Sequence, residues 1–234
     1  MNILKFIFLG FTLSLLYPPY FLLPLGFLIF TYICILCENY SKKKHLSKLF
    51  FSSYLFSFGF FLSFLLWIKN PFLVFDETKN FFLIFILLII TLSIISSIFF
   101  TVFFHYNKII PTFIAVPLAF TLIEFIFSKI FYGFPWITSS LILSNNITLL
   151  YLVKHLGTLF SSYVIIQLFC LPFLFLYKKN KIIIFYFCII FLTPLSFSIL
   201  FNLTLNNKVL NSNEEINFEI HQMNVPVIQN QYEN

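Results

Sequence analysis

Residues 1–201 are almost continuously apolar, whereas from Asn202 to Asn234 the chain turns polar and acidic. That switch constrains the fold more than any motif. A soluble domain carries about 25% charged residues, but here 9% are charged and 60% hydrophobic, with a mean hydropathy of +0.98. The expected protein is an all-α polytopic membrane bundle over residues 1–201, with a separate water-exposed unit beginning at 202–234. The 38 Phe and 12 Tyr, together with 14 basic residues that are all Lys, follow the bias of A/T-rich codons and mark no binding signature. The formal charge of +6 gives no sign of a nucleic-acid partner, because the lysines punctuate apolar segments as topology signals do.

Crossing about 30 Å of hydrocarbon takes roughly 20 apolar residues in a helix. Seven segments come close or qualify: 2–17, 20–37, 49–68, 81–104, 109–127, 158–177 and 182–201. The first is short, and Lys5 followed by an apolar run mimics a secretory signal. Leu16-Tyr17-Pro18-Pro19-Tyr20 offers no small-residue cleavage site, however, so an uncleaved helix and a tight turn are expected. An inside N-terminus collects Lys5, Lys42, Lys43, Lys44, Lys48, Lys108, Lys178, Lys179 and Lys181 on the cytoplasmic side. Lys69, Lys79, Lys129, Lys154 and Lys208 fall outside. The excess of positive charge supports that orientation, and an odd number of crossings then exports the tail.

One outer stretch departs from plain lipid-facing sequence. Glu124 lies within the fifth apolar segment, where a carboxylate costs a few kcal/mol and usually faces a polar partner or cavity. Ser128, one turn later, or interfacial water could satisfy it. Gly133-Phe134-Pro135-Trp136 breaks the helix, since Pro lacks a donor and disfavours helical geometry at Phe134, and Trp suits headgroup depth.

Glu124 followed nine residues later by Gly133-Phe134-Pro135-Trp136 resembles the signature of the apolipoprotein N-acyltransferase membrane domain. Other pieces agree in order. Tyr17-Pro18-Pro19-Tyr20 resembles that family's first hairpin, Gly59 through Trp67 its Gly-rich third helix, and Gly157 to Tyr163 the Gly-containing start of its sixth. In the tail, Ile220-His221-Gln222-Met223-Asn224-Val225-Pro226 is similar to the opening of the family's nitrilase-like (CN-hydrolase) domain. Some positions depart from the pattern. Phe127 stands where a basic residue is common, a Gly is missing among Ile137 to Ser140, Met223 replaces a Gly, and Asn230-Gln231 replaces Lys-Trp.

The resemblance implies a bundle of about seven transmembrane helices followed by the first β-strand of an incomplete α/β nitrilase-like domain. It implies a bacterial inner-membrane, multi-pass protein with a cytoplasmic N-terminus and a periplasmic tail. The implied reaction moves an acyl chain from a phospholipid donor to the N-terminal amine of a diacylglyceryl-cysteine lipoprotein acceptor, with no cofactor or metal. In the family, a Cys thiolate, a Glu base and a Lys work together in the nitrilase-like domain. This chain is expected to lack those catalytic residues, as a truncated or split form would. Glu124, Gly133, Phe134, Pro135 and Trp136 are the candidate substrate- or lipid-binding residues.

Direct reading of the remaining polar residues agrees with that absence. Cys34, Cys37, Cys170 and Cys188 all fall in apolar segments toward the inner side, and the lone Cys34–Cys37 C-x-x-C reads as buried thiols, not a metal or redox motif. Ile216, Phe218 and Ile220 alternate with Asn217, Glu219 and His221 as in a strand, but 33 residues cannot build a several-stranded domain. His45, His105 and His155 are too scattered for a shared metal, and the sequons at Asn146 and Asn202 match by chance in an Asn-rich chain. Two other functions stay open: a non-catalytic membrane subunit docking a separately encoded nitrilase-like domain, and an unrelated polytopic transporter. The latter should show inverted repeats and several polar residues at mid-membrane.

Overall fold

The computed structural model describes residues 3–43, 46–74, 76–107, 109–130, 137–178, 185, 196 and 199–200. Among them every regular element is helical. Helix α1 (Ile3–Ser14) stops ahead of Pro18-Pro19, and the chain reverses in a turn where Tyr17 N donates to Ser14 O (3.1 Å) and Tyr20 N to Tyr17 O (3.0 Å). Helix α2 (Pro24–Lys43) opens on a proline, whose missing N–H has no partner to lose at that position. Helix α3 (Leu46–Phe64) runs into two 3₁₀ segments, Leu66–Leu73 and Asp76–Phe81, where Lys79 pairs with Asp76. Helices α4 (Phe82–Tyr106) and α5 (Thr112–Lys129) follow.

Among the described residues, three stretches are long and apolar enough to cross a membrane: Leu46–Phe64, the continuous helical run Asp76–Tyr106, and Thr112–Lys129. Three shorter apolar helices lie at Ile3–Ser14, Pro24–Tyr40 and Thr158–Phe169. The first expected span is thus cut short at Ser14. The sixth breaks at Cys170, beside Pro172, before one turn at Leu171–Phe173 and a wider winding over Leu174–Lys178. The seventh span and the tail strand lie outside the described residues, apart from Phe185, Ser196, Ile199 and Leu200.

Helix α4 shows how a membrane helix is sorted by face. Leu83, Leu87, Ile94, Ile98 and Val102 form an exposed apolar stripe, as suits contact with lipid, while Ser93, Ser96, Ser97 and Thr101 are buried. Lipid tails are as apolar as Leu, so small and weakly polar residues turn inward, where they let helices approach. Helices α1 and α3 approach each other closely at two glycines. A Cβ on Gly10 would overlap the Phe56 carbonyl, and one on Gly59 would overlap that of Ile7. One turn on, Ser63 Oγ donates to Ser14 Oγ at 2.7 Å.

The segment after residue 137 adds elements that the pattern of apolar spans does not reveal. A 3₁₀ segment (Ser139–Asn145) leads to the ten-residue α6 (Ile147–Leu156), and Gly157 (φ 77°) joins it to α7 (Thr158–Phe169). That left-handed backbone angle favours glycine at this position. Helix α7 packs on α2 and α5, with Phe169 between Phe27 (5.2 Å between ring centroids) and Phe30 (5.8 Å).

A carboxylate anchor inside the bundle

Glu124 sits on the inward face of α5 and is only 5% exposed. Its Oε1 accepts two hydrogen bonds from one residue, from Ser139 N at 2.9 Å and from Ser139 Oγ at 2.6 Å. A serine hydroxyl has one hydrogen, and here it goes to the carboxylate. Tyr17, whose Oη lies 3.0 Å from Ser139 Oγ, is therefore the donor in that second contact. The result is a directional chain, Tyr17 to Ser139 to Glu124. Next to it, Ser140 N donates to Ser162 Oγ on α7 (2.9 Å) and Ser140 Oγ to Thr138 Oγ1 (3.2 Å).

This arrangement corrects one expectation. Ser128 does not satisfy Glu124, because its hydroxyl donates to Phe125 O at 2.7 Å, within its own helix. Nor does the carboxylate face interfacial water, since it is buried against the segment that follows Trp136. Gly133, Phe134, Pro135 and Trp136 lie outside the described residues. Ser139 comes three positions after Trp136, so the carboxylate takes hold of the chain just beyond that motif.

Residues far apart in sequence converge here. Tyr17 belongs to the first turn, and its ring packs on Phe60 (5.6 Å) and Phe64 (4.9 Å), both within the Gly59-to-Trp67 stretch. Ser162 lies in the Gly157-to-Tyr163 stretch. Parts of the 17–20, 59–67 and 157–163 stretches thus meet around one buried carboxylate. Sequence reasoning missed Ser139, Ser140, Ser162 and the role of Tyr17. The available signal was Thr138-Ser139-Ser140, a run of three hydroxyl residues directly after the helix-breaking motif.

The site is built to hold shape. Among the described residues no three of His, Cys, Asp and Glu gather as metal ligands, and the Ser139 hydroxyl is committed at both its donor and its acceptor side. The thiols lie elsewhere. Cys34 on α2 faces Cys170, at the end of α7, with the sulfurs 3.6 Å apart, while Cys37 is buried nearby and Cys188 lies outside the described residues.

Long apolar helices with lipid-facing stripes and buried hydroxyls define a helical membrane protein. The family model described as apolipoprotein N-acyltransferase N-terminal domain matches residues 9–171, a range that includes Tyr17, Glu124, Ser139 and Ser162. The chain belongs to that family. No curated protein sequence matches it.

Proposed function

We propose that this chain forms the membrane half of an apolipoprotein N-acyltransferase, which passes an acyl chain from a phospholipid to the N-terminal amine of a diacylglyceryl-cysteine lipoprotein. The observation that carries this reading is the family match over residues 9–171, with Glu124 anchoring the chain just beyond Gly133-Phe134-Pro135-Trp136. In this reading residues 1–201 make seven spans in the bacterial inner membrane, and residues 202–234 begin a periplasmic nitrilase-like unit with a first β-strand. The lysine distribution supports a cytoplasmic N-terminus. The bundle admits phospholipid and lipoprotein acyl chains laterally, with the Gly133-to-Trp136 turn near the mouth beneath the domain where acyl transfer occurs.

The test uses a strain depleted of its own enzyme, with lipoprotein N-termini read by mass spectrometry. The 234-residue chain alone is expected to leave them diacylated. The same chain joined to a nitrilase-like domain from another family member is expected to restore triacylation, after export of that domain is checked by a reporter. Triacylation by the chain alone would show that the reacting groups lie within these residues. No triacylation by an exported, folded fusion would overturn the assignment as a membrane half.

A further inference from the structure

Glu124 turns two oxygens toward the interior, and direct bonds satisfy one. Oε1 holds Ser139, whereas Oε2 is buried without a hydrogen-bond partner among the described residues. Glu124 also lines an internal cavity of about 40 Å³ between the first turn, α3, α4 and α5. Three further polar residues line it: Tyr17, Ser57 on α3 and Ser96 on α4, all buried. On α4, Ser93 and Ser97 give their hydroxyl hydrogens to Ile89 O and Ser93 O, each at 2.6 Å. Ser57 and Ser96 make no such bond among the described residues.

A cavity holds water when it offers about 10–15 Å³ per molecule and two to four polar partners, whereas cavities lined by carbon alone stay dry. This one has the volume, and Glu124 Oε2 with the neighbouring Ser57 and Ser96 gives a small polar patch on an otherwise apolar wall. We propose that it is a water site, in which an ordered water donates to Glu124 Oε2 and is shared with the Ser57 and Ser96 hydroxyls. A dehydrated cation would need more oxygen ligands than four residues supply here, since the rest of the wall is Leu, Ile and Phe. The water would give Glu124 a second grip. Through Oε1 it holds the 137–140 segment, and through the water it holds α3 and α4. The inference does not depend on the acyl-transfer reading.

Pulsed X-ray hydroxyl-radical footprinting of the purified full chain in nanodiscs tests it, because radiolysis of a bound water oxidises side chains beside it even when they are buried. Phe61 and Phe127 line the cavity, while Phe30 and Phe169 are equally buried away from it. The first pair is expected to oxidise severalfold faster than the second. Equal, slow oxidation of all four would overturn the proposal. A double-mutant cycle of Ser57→Ala with Glu124→Leu, which removes both carboxylate oxygens, adds a second readout, since these residues share no direct bond. The melting-temperature loss caused by Ser57→Ala should shrink by at least half in the Glu124→Leu background. Ser96→Ala serves if Ser57→Ala does not fold. Strict additivity would count against a shared water, and stabilisation by sodium but not choline would replace it with a cation.

Discussion

Two buried regions of this bundle are held by different physics. Around Glu124, residues from four parts of the chain meet through hydrogen bonds with fixed donors and acceptors. Between α2 and α7 the contact is one of shape. The Phe169 ring lies over Gly26, where any Cβ would come within 2.6 Å of it, and is flanked by Phe27 and Phe30. Cys34 and Cys170 extend that seam. In water, burying these rings would dominate stability. In a bilayer the lipid is as apolar as the seam, so the seam gains only what close packing gives. Around the carboxylate the balance differs, because polar groups in hydrocarbon have few other partners.

The largest effect is expected from emptying the seam. Phe169→Ala removes a side chain that is 1% exposed, and its cost should be about 3 kcal/mol, the low end for Phe deletions because lipid, not water, is the alternative surrounding. Reversible unfolding in mixed detergent measures it. A cost under about 1 kcal/mol would mean that shape contributes little here and would invert the comparison. Next comes Glu124→Leu, which leaves Ser139 N–H and Oγ–H without an acceptor and should cost about 1–3 kcal/mol. Glu124→Gln keeps a carbonyl oxygen for both donors and should retain most of that stability. Equal losses in the two variants would show that the negative charge, not the acceptor geometry, matters.

The same contrast explains what the sequence made legible. The apolar runs 49–68, 81–104 and 109–127 became α3, α4 and α5 with shifted ends, because length and hydropathy alone decide what can span a membrane. Glu124 stood out because a carboxylate in such a run needs a partner. Its partner was not legible. Helical spacing pointed to Ser128, but a serine inside a helix readily bonds its own backbone, as Ser128 does to Phe125 O. Ser139 is 15 residues away, and only the turn between makes it adjacent. Helix α6 went unread because ten residues with Lys154 and His155 in the last turn are too few and too polar to register as a span. The C-x-x-C spacing drew attention to Cys37, whereas the sulfur facing Cys34 belongs to Cys170, a distance set by the packing of α2 on α7.

That thiol pair gives the smallest expected effect. Cys34 and Cys170 are fully buried and 3.6 Å apart, a contact in which one S–H points at the other sulfur. A thiol is a weak donor and otherwise behaves as a small apolar group, so each Cys→Ala change should cost no more than about 1 kcal/mol, through lost volume. If packing is all they share, the double variant should equal the sum of the singles within about 0.5 kcal/mol. A coupling above about 1 kcal/mol would make the pair a directional contact like Tyr17–Ser139, and the seam could no longer be treated as shape alone. The expected additivity follows from orientation: the sulfur–sulfur contact tolerates rotation of either side chain, whereas Ser139 must point one hydrogen at Glu124 and one lone pair at Tyr17 simultaneously.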